Sequence, residues 1–319
     1  MRTTSQATIP SRLLRMLAVC LLLSAACSGR ADPPDEGVAA SLRAKYEALR
    51  DQLANSPFHR PLYLDSTQKP GKLRGDVYAL VEYPFAMVAT AAGRSTQWCE
   101  ILLLHLNVKY CSAAAGPPES TLTAFFGGKH EQVADAAYRV EFVHRVAAES
   151  ADYLRVILSA ARGPFGTRDY QIMLEAVPLP SAGTFVHLSY SYEYGPAAAM
   201  AMRAYLNTLG RAKVGFTIID RLSGGEPVRV GDIRGALERN VMRYFLALDA
   251  YLGANSAPPQ ERLEKRLRDW FAATERYPLQ LREVPQDEYL EMKRREFQQL
   301  QGQADGLRDV SAESARTVH

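Results

Sequence analysis

Residues 138–147 read Tyr-Arg-Val-Glu-Phe-Val-His-Arg-Val-Ala. Tyr138, Val140, Phe142, His144 and Val146 fall on one side of an extended chain, and Arg139, Glu141 and Arg145 fall on the other. A period of two marks a strand with one dry face and one wet face. Residues 154–160 repeat it, with Leu154, Val156, Leu158 and Ala160 opposite Arg155 and Ser159. Such strands belong to an antiparallel sheet curving over a single core.

Outward from this pair the same period predicts strands at 106–112, 121–127, 138–147, 153–160, 168–178, 184–194 and 213–220. Turn residues bound them: Gly116-Pro117-Pro118, Gly127-Gly128, Gly163-Pro164-Phe165-Gly166 and Pro180 to Gly183. Upstream, residues 73–82 read as a strand and Leu62 to Leu64 as a shorter one. Pro84 opens a helix over Phe85 to Ala92, and Val38, Leu42, Tyr46, Leu49 and Leu53 space out a helix over 38–54. An Ala/Met-rich helix, Ala197 to Leu209, interrupts the strands. A long helix follows from Ile233 to Leu252, with the stripe Ile233, Leu237, Asn240, Tyr244, Leu248 and Tyr251. Two polar helices, 259–276 and 286–301, carry mixed charges that imply solvated faces. The tail 303–319 reads as disordered. The expected fold class is α+β.

The N-terminus carries an address. Arg2, Arg12 and Arg15 precede the apolar run Met16 to Cys27, with no acid among them, and a polar stretch follows. That is the layout of an export signal, and its core is well short of the ~20 residues a membrane-spanning helix needs. Ser24-Ala25-Ala26-Cys27 resembles the lipobox of bacterial lipoproteins, in which Cys27 would become the lipidated first residue. Ser24 departs from the Leu usual there, and cleavage after Ala26 or Ala31 by an ordinary signal peptidase is the competing reading. Ser28 after the cysteine implies, by the same resemblance, the outer membrane. The expected localisation is the periplasm.

Four cysteines are present, and Cys20 leaves with the signal. Lipidating Cys27, or cleaving beyond it, leaves Cys99 and Cys111 in an oxidising compartment, either as a disulfide or as two buried free thiols. A continuous strand would part them by about 40 Å, whereas a disulfide needs Cα atoms within ~7 Å. The bond therefore requires a fold-back near His105, with a helix ending about Leu104 and a strand starting at Leu106.

The 319 residues are 47% hydrophobic and 23% charged, the balance of a globular protein. The net charge of +3 comes from the three signal arginines, so the mature chain is neutral. Nucleic acid, which demands a basic footprint, is excluded as a partner.

An early strand, a helix, a run of antiparallel strands and one long helix, over residues 71 to 252, resembles the START-like or helix-grip superfamily, which includes polyketide cyclase-like and lipid-transfer domains. The segments Gly163-Pro164-Phe165-Gly166-Thr167-Arg168-Asp169-Tyr170 and Arg234-Gly235-Ala236-Leu237-Glu238-Arg239-Asn240 are similar to an exported proteobacterial family. The resemblance implies a sheet wrapped around the last long helix, an apolar cavity between them, and a hydrophobic or lipid-like ligand. The expected boundaries are 1–26 for the signal peptide, 27–57 for a tether and N-terminal helix, 58–254 for the START-like domain and 255–302 for a helical extension.

Within that frame Asn240 stands out as a polar residue in the apolar stripe. A buried amide without a partner costs roughly 1–3 kcal/mol, so it bonds a ligand, a strand backbone or a bound water. Tyr190, Tyr192 and Tyr194 share one strand face, suited to an amphipathic lining or to packing on the long helix with Tyr244. His187 and Ser189 share the other face, which reads as solvent-facing. His105, Asn107 and Lys109 alternate after the fold-back and form a polar rim, a catalytic cluster or an exposed strand face. Arg162 and Asp169 are placed to brace the Gly163–Gly166 turn as an ion pair.

The histidines are scattered, His130-Glu131 lacks the second histidine of a zinc-protease helix, and no G-x-S-x-G elbow occurs. No metal, cofactor or catalytic residue is expected. The leading reading is a binding protein for a hydrophobic or amphipathic small molecule, with a membrane anchor at Cys27. The alternatives are a polyketide cyclase-type or hydrolytic enzyme in the same cavity, or an envelope interaction protein with a closed core.

Overall fold

The computed structural model describes residues 34–116, 119–130, 136–180, 183–209 and 213–300. Cys27, the signal segment and the tail 303–319 lie outside the described residues. Two compact units are distinguished, 1–38 and 39–319. Of the first, only the opening residues of helix α1 (Pro34–Ala54) are described; the rest of the described chain belongs to the second.

Eight strands form one antiparallel sheet: β1 (Leu62–Lys69), β2 (Lys72–Val81), β3 (Val108–Ala114), β4 (Ser120–Phe126), β5 (Tyr138–Glu149), β6 (Leu154–Arg162), β7 (Arg168–Pro178) and β8 (Thr184–Glu193). Their order is β1-β2-β8-β7-β6-β5-β4-β3, so the first hairpin pairs with the last strand. Alternation holds at the centre of β5, where Val140, Phe142 and His144 are buried. It fails at the ends. Tyr138 is exposed, and a register shift between Val146 and Ala148 turns Val146 outward and Ala148 inward. The strand expected at 213–220 shrinks to β9 (Ile218–Arg221), which pairs only with β10 (Pro227–Arg229) outside the main sheet.

The long helix α5 (Asp232–Gly253) packs against β1, β2 and β8. Gly75 of β2 permits the approach, since a Cβ there would come within 3.1 Å of Val241 Cγ1. An antiparallel sheet wrapped around a long C-terminal helix is the fold class expected from the sequence. Glu238, fully buried on α5, accepts the backbone N–H groups of Phe216 (2.6 Å) and Thr217 (2.9 Å) and the Ser66 hydroxyl. Those bonds tie the segment before β9 and the edge strand β1 to the helix. They take the N–H groups of Phe216 and Thr217, while the main-chain bonds of this segment run to Val230, from Gly215 N to the Val230 carbonyl and from Val230 N to the Thr217 carbonyl.

Helices α2 (Phe85–Gly93) and α3 (Ser95–Leu104) lie on the same face of the sheet, with Trp98 Nε1 and His144 Nε2 both within hydrogen-bond distance of the Ala92 carbonyl. Cys99 and Cys111 form a disulfide with Cα atoms 5.2 Å apart. The fold-back occupies His105 to Asn107, and β3 starts at Val108, two residues later than expected.

The C-terminal helices α6 (Arg262–Glu275), α7 (Pro278–Leu281) and α8 (286–300) are not simply solvated. Leu267, Trp270, Tyr289, Met292 and Phe297 are buried with the main core. Tyr289 Oη donates to the Leu104 carbonyl (2.9 Å), satisfying one acceptor at the end of α3. Lys293, fully buried, donates to the carbonyls of His105 (2.9 Å) and Val108 (2.7 Å) and to Glu296 (2.7 Å). The extension thus clamps the turn that carries His105.

The outer face of the sheet also departs from expectation. His187 and Ser189 are buried, beneath a cover to which α1 contributes Tyr46, 5.2 Å from the Phe185 ring. His187 bridges two carboxylates, Nε2 to Asp76 (2.7 Å) and Nδ1 to Glu175 (2.9 Å), and the Tyr78 ring stacks on it at 4.2 Å. Long-range pairing across β2, β8 and β7 creates this cluster. Both ring nitrogens face carboxylates, so neither is bonded to the Ser189 hydroxyl. At the 163–166 turn, Asp169 approaches Arg168 (3.6 Å) rather than Arg162.

Candidate functional site

A cavity of about 530 Å³ lies between α5, the sheet and helix α4 (Pro196–Leu209), a size within the ~300–1,000 Å³ of small-molecule sites. Ala236, Arg239, Asn240, Arg243 and Tyr244 line it from α5. They follow the i, i+3, i+4, i+7, i+8 spacing of one helix face. Met202, Tyr205 and Leu206 do the same from α4, and Phe126, Tyr170 and Tyr192 come from the sheet. Phe165 and Tyr138, both on the wall and both exposed, form the rim.

The two segments quoted above meet here. Pro164, Phe165 and Tyr170 come from the first, and Ala236, Arg239 and Asn240 from the second. Gly163 is required by Tyr170, whose ring would overlap a Cβ at that position. Tyr170 in turn shares a hydrogen bond with Thr167 (2.7 Å) and stacks on Tyr192 at 5.0 Å. Aromatic contact continues from Tyr192 to Tyr190, from Tyr190 edge-on to Tyr244 (5.3 Å), and from Tyr244 to the His105 ring (4.8 Å).

Polarity is concentrated at one part of the wall. Among the described residues three cationic side chains line the cavity, Lys129, Arg239 and Arg243, against one carboxylate, Glu283, which the loop before α8 supplies. Glu283 is shared between Arg243 (2.7 Å) and Lys129 (2.6 Å). Burial alone would raise its pKa, but the charge of Arg243 and the bond from Lys129 hold it below the usual carboxylate value. Arg239 has no such partner. Its hydrogen bond is a long one, to the Val214 carbonyl at 3.4 Å, and no carboxylate lies within 4.0 Å among the described residues. Burial and the neighbouring charge of Arg243 push its pKa down to about 10.

His105 is fully enclosed. Nδ1 accepts the Asn107 backbone N–H (3.1 Å), which assigns the proton of the neutral ring to Nε2. Burial, then the charges of Arg243 and Lys293, lower its pKa well below 6.5, so the ring is neutral at pH 7. The Asn240 amide stands close enough to favour the protonated form slightly, yet Nε2 has no hydrogen bond of normal geometry.

No family model matches the chain, and no curated protein does. Among solved structures, human StAR-related lipid transfer protein 5 is similar at 10% identity and a TM-score of 0.29, over 55% of this chain and 91% of that one. Human STARD10 is similar at 9% identity and 0.31, over 56% and 78%. Protein Ms6760 from Mycobacterium smegmatis is similar at 11% and 0.29, over 47% and 89%. These likenesses are too distant to bear on function, and the fold rests on the strand order itself.

Of the residues predicted from sequence, His105, Asn107, Tyr192, Asn240 and Tyr244 line the cavity. Tyr190 stands behind the wall, bracing Tyr244. Tyr194 is elsewhere, its hydroxyl accepting from Gln68 (3.0 Å). Lys109 does not join His105 and Asn107 as a rim. It is buried and donates to the carbonyls of Leu106 (3.2 Å) and His130 (2.9 Å). The sequence reading missed Arg239 and Arg243, although both sit one helical step from Asn240 and Tyr244. It also missed Glu283, which no local pattern connects to the cavity.

Proposed function

We propose that the protein is an exported cell-envelope protein that holds a hydrophobic or amphipathic, lipid-like small molecule in this cavity without transforming it. The observation that carries the reading is the wall itself: an aromatic lining that continues into a small group of buried donors, with an exposed aromatic rim. An apolar pocket with a few convergent polar groups is the usual form of a small-molecule site. The enzymatic alternative gains less support. Among the described residues no serine, threonine or cysteine lines the cavity, and the lining carboxylate Glu283 is bonded to two cations instead of orienting His105. We also propose that residues 1–26 direct export, that Cys27 carries a lipid anchor, and that the chain groups with exported proteobacterial proteins sharing segments 163–170 and 234–240.

Mass spectrometry of small molecules co-purifying with the mature protein tests the binding half. Ala236 is on the wall, so Ala236→Trp should fill the cavity and strip the co-purifying species while the protein stays folded. Equal recovery from both proteins would remove the cavity from the account. For the address, incorporation of a palmitate analogue into wild type but not Cys27→Ser is expected.

A further inference from the structure

We propose that the ligand of this cavity is an anion, an apolar body carrying a single carboxylate or phosphate headgroup that seats against Arg239, Arg243 and His105. The inference rests on the binding reading above and adds the chemical class of the ligand.

Three independent features of the polar wall point the same way. The first is charge. Arg243 and Lys129 share Glu283, so that trio retains one positive charge, and Arg239 adds another. A guanidinium that is 5% exposed, and bonded to no carboxylate among the described residues, is costly unless something brings it a counter-charge.

The second is the kind of hydrogen-bonding capacity left open. Two buried atoms of wall residues, His105 Nε2 and Arg243 Nε, have no hydrogen-bond partner among the described residues. Both are donors, the first by the tautomer that the Asn107 N–H imposes on Nδ1, the second because arginine has no acceptor. Arg239 adds further N–H groups held by one long bond. A ligand that satisfies this wall must bring acceptors, and a neutral alcohol brings too few for three donor residues. A carboxylate or a phosphate offers several lone pairs and the missing charge together.

The third is placement. Arg239, Asn240 and Arg243 occupy one turn of α5, and the extension holds His105 against it through Lys293 and Tyr289. The donors are fixed in advance, which lowers the ordering cost of binding. The amide of Asn240 lies between the two arginines in sequence and beside the imidazole, where it can donate to the same headgroup.

The test uses the mature protein, delipidated, and displacement of the neutral apolar fluorophore N-phenyl-1-naphthylamine. Dodecanoate, dodecyl phosphate and dodecanol are the competitors. Both anions should displace the probe roughly tenfold or more better than dodecanol, the loss expected when a charge-assisted bond is forgone. Whichever anion is tighter identifies the headgroup. Arg239→Gln should erase that preference and leave dodecanol unchanged, and Arg239→Lys should restore part of it. If the probe and dodecanol bind but the anions gain nothing, the anion proposal is overturned and the binding reading stands. Failure of every compound, probe included, overturns the binding reading itself. Should Arg239→Gln not fold, the wild-type anion-to-alcohol ratio decides alone.

Discussion

Two buried histidines on opposite faces of one sheet are treated in opposite ways. His187, on the outer face, has a carboxylate on each ring nitrogen, and those carboxylates are braced in turn by Arg74 and by the Tyr153 hydroxyl (2.6 Å). His105, at the cavity, has one nitrogen tied to its own turn and the other unpartnered, in sight of three cations. The first arrangement is closed and asks nothing of the solvent or a ligand. The second is open. Burial is nearly equal at the two sites, so burial does not separate a structural histidine from a functional one. The bookkeeping of hydrogen bonds does.

The largest effect should come from breaking the closed site. His187→Leu leaves Asp76 and Glu175 buried with one bond fewer each and removes the ring that Tyr78 stacks on. Loss of one partner from a buried ionic cluster costs about 3–5 kcal/mol, visible as a lowered denaturation midpoint in urea. Ligand displacement in the surviving folded fraction should be unchanged. A variant as stable as wild type would mean that the cluster is not the brace described above.

How much of this was legible follows the range of the interactions. The strands of the 138–178 region were readable because alternation is local, and α5 was readable because its apolar stripe is. The segment 213–217 was not, since the Glu238 carboxylate that takes its N–H groups arrives from another element. His187 read as solvent-facing because neither Asp76, 111 residues away, nor α1 can be aligned with it from a local pattern. Arg239 and Arg243 carry no local signal of burial, because arginines are usually exposed. Asn240 was the usable signal. A single amide in an apolar stripe marked the turn of helix on which both arginines sit.

The two histidines should also bend the pH dependence of stability in opposite directions. At His187, burial lowers the pKa, but the bonds to Asp76 and Glu175 outweigh it and raise it above 6.5. Its contribution is complete below pH 6.5 and is lost as pH rises through the folded value. At His105 the folded pKa lies well below 6.5, so the unfolded chain binds more protons between the two values, and stability rises with pH up to about 6.5. Asp76, which burial would raise but which the bonds from His187 and Arg74 bring down to about 2, contributes stability above 3.8 that is lost as pH falls toward 2. Urea titrations at intervals from pH 5 to 8 should show a rising limb that His105→Gln flattens and a falling limb that His187→Gln flattens. Loss of the same limb in both variants would contradict the opposition between the two sites.

The smallest effect on stability, and the one that bears most on the open site, belongs to Asn240. The amide has no hydrogen bond to a strand backbone among the described residues, and the neighbouring His105 Nε2 is not bonded to it with normal geometry. Replacing it with leucine removes a polar group from the wall and strands no other. Asn240→Leu should therefore change the unfolding free energy by less than about 1 kcal/mol, in either direction. If the amide donates to a headgroup, the same change should weaken displacement of the fluorophore by dodecanoate several-fold and that by dodecanol hardly at all. A loss of roughly 1–3 kcal/mol with unchanged displacement would mean that Asn240 serves the fold, as the amide of an ordinary buried network does. Thermal melts with and without dodecanoate separate the outcomes, because a ligand contact shows only in the loaded protein whereas a structural bond shows in both.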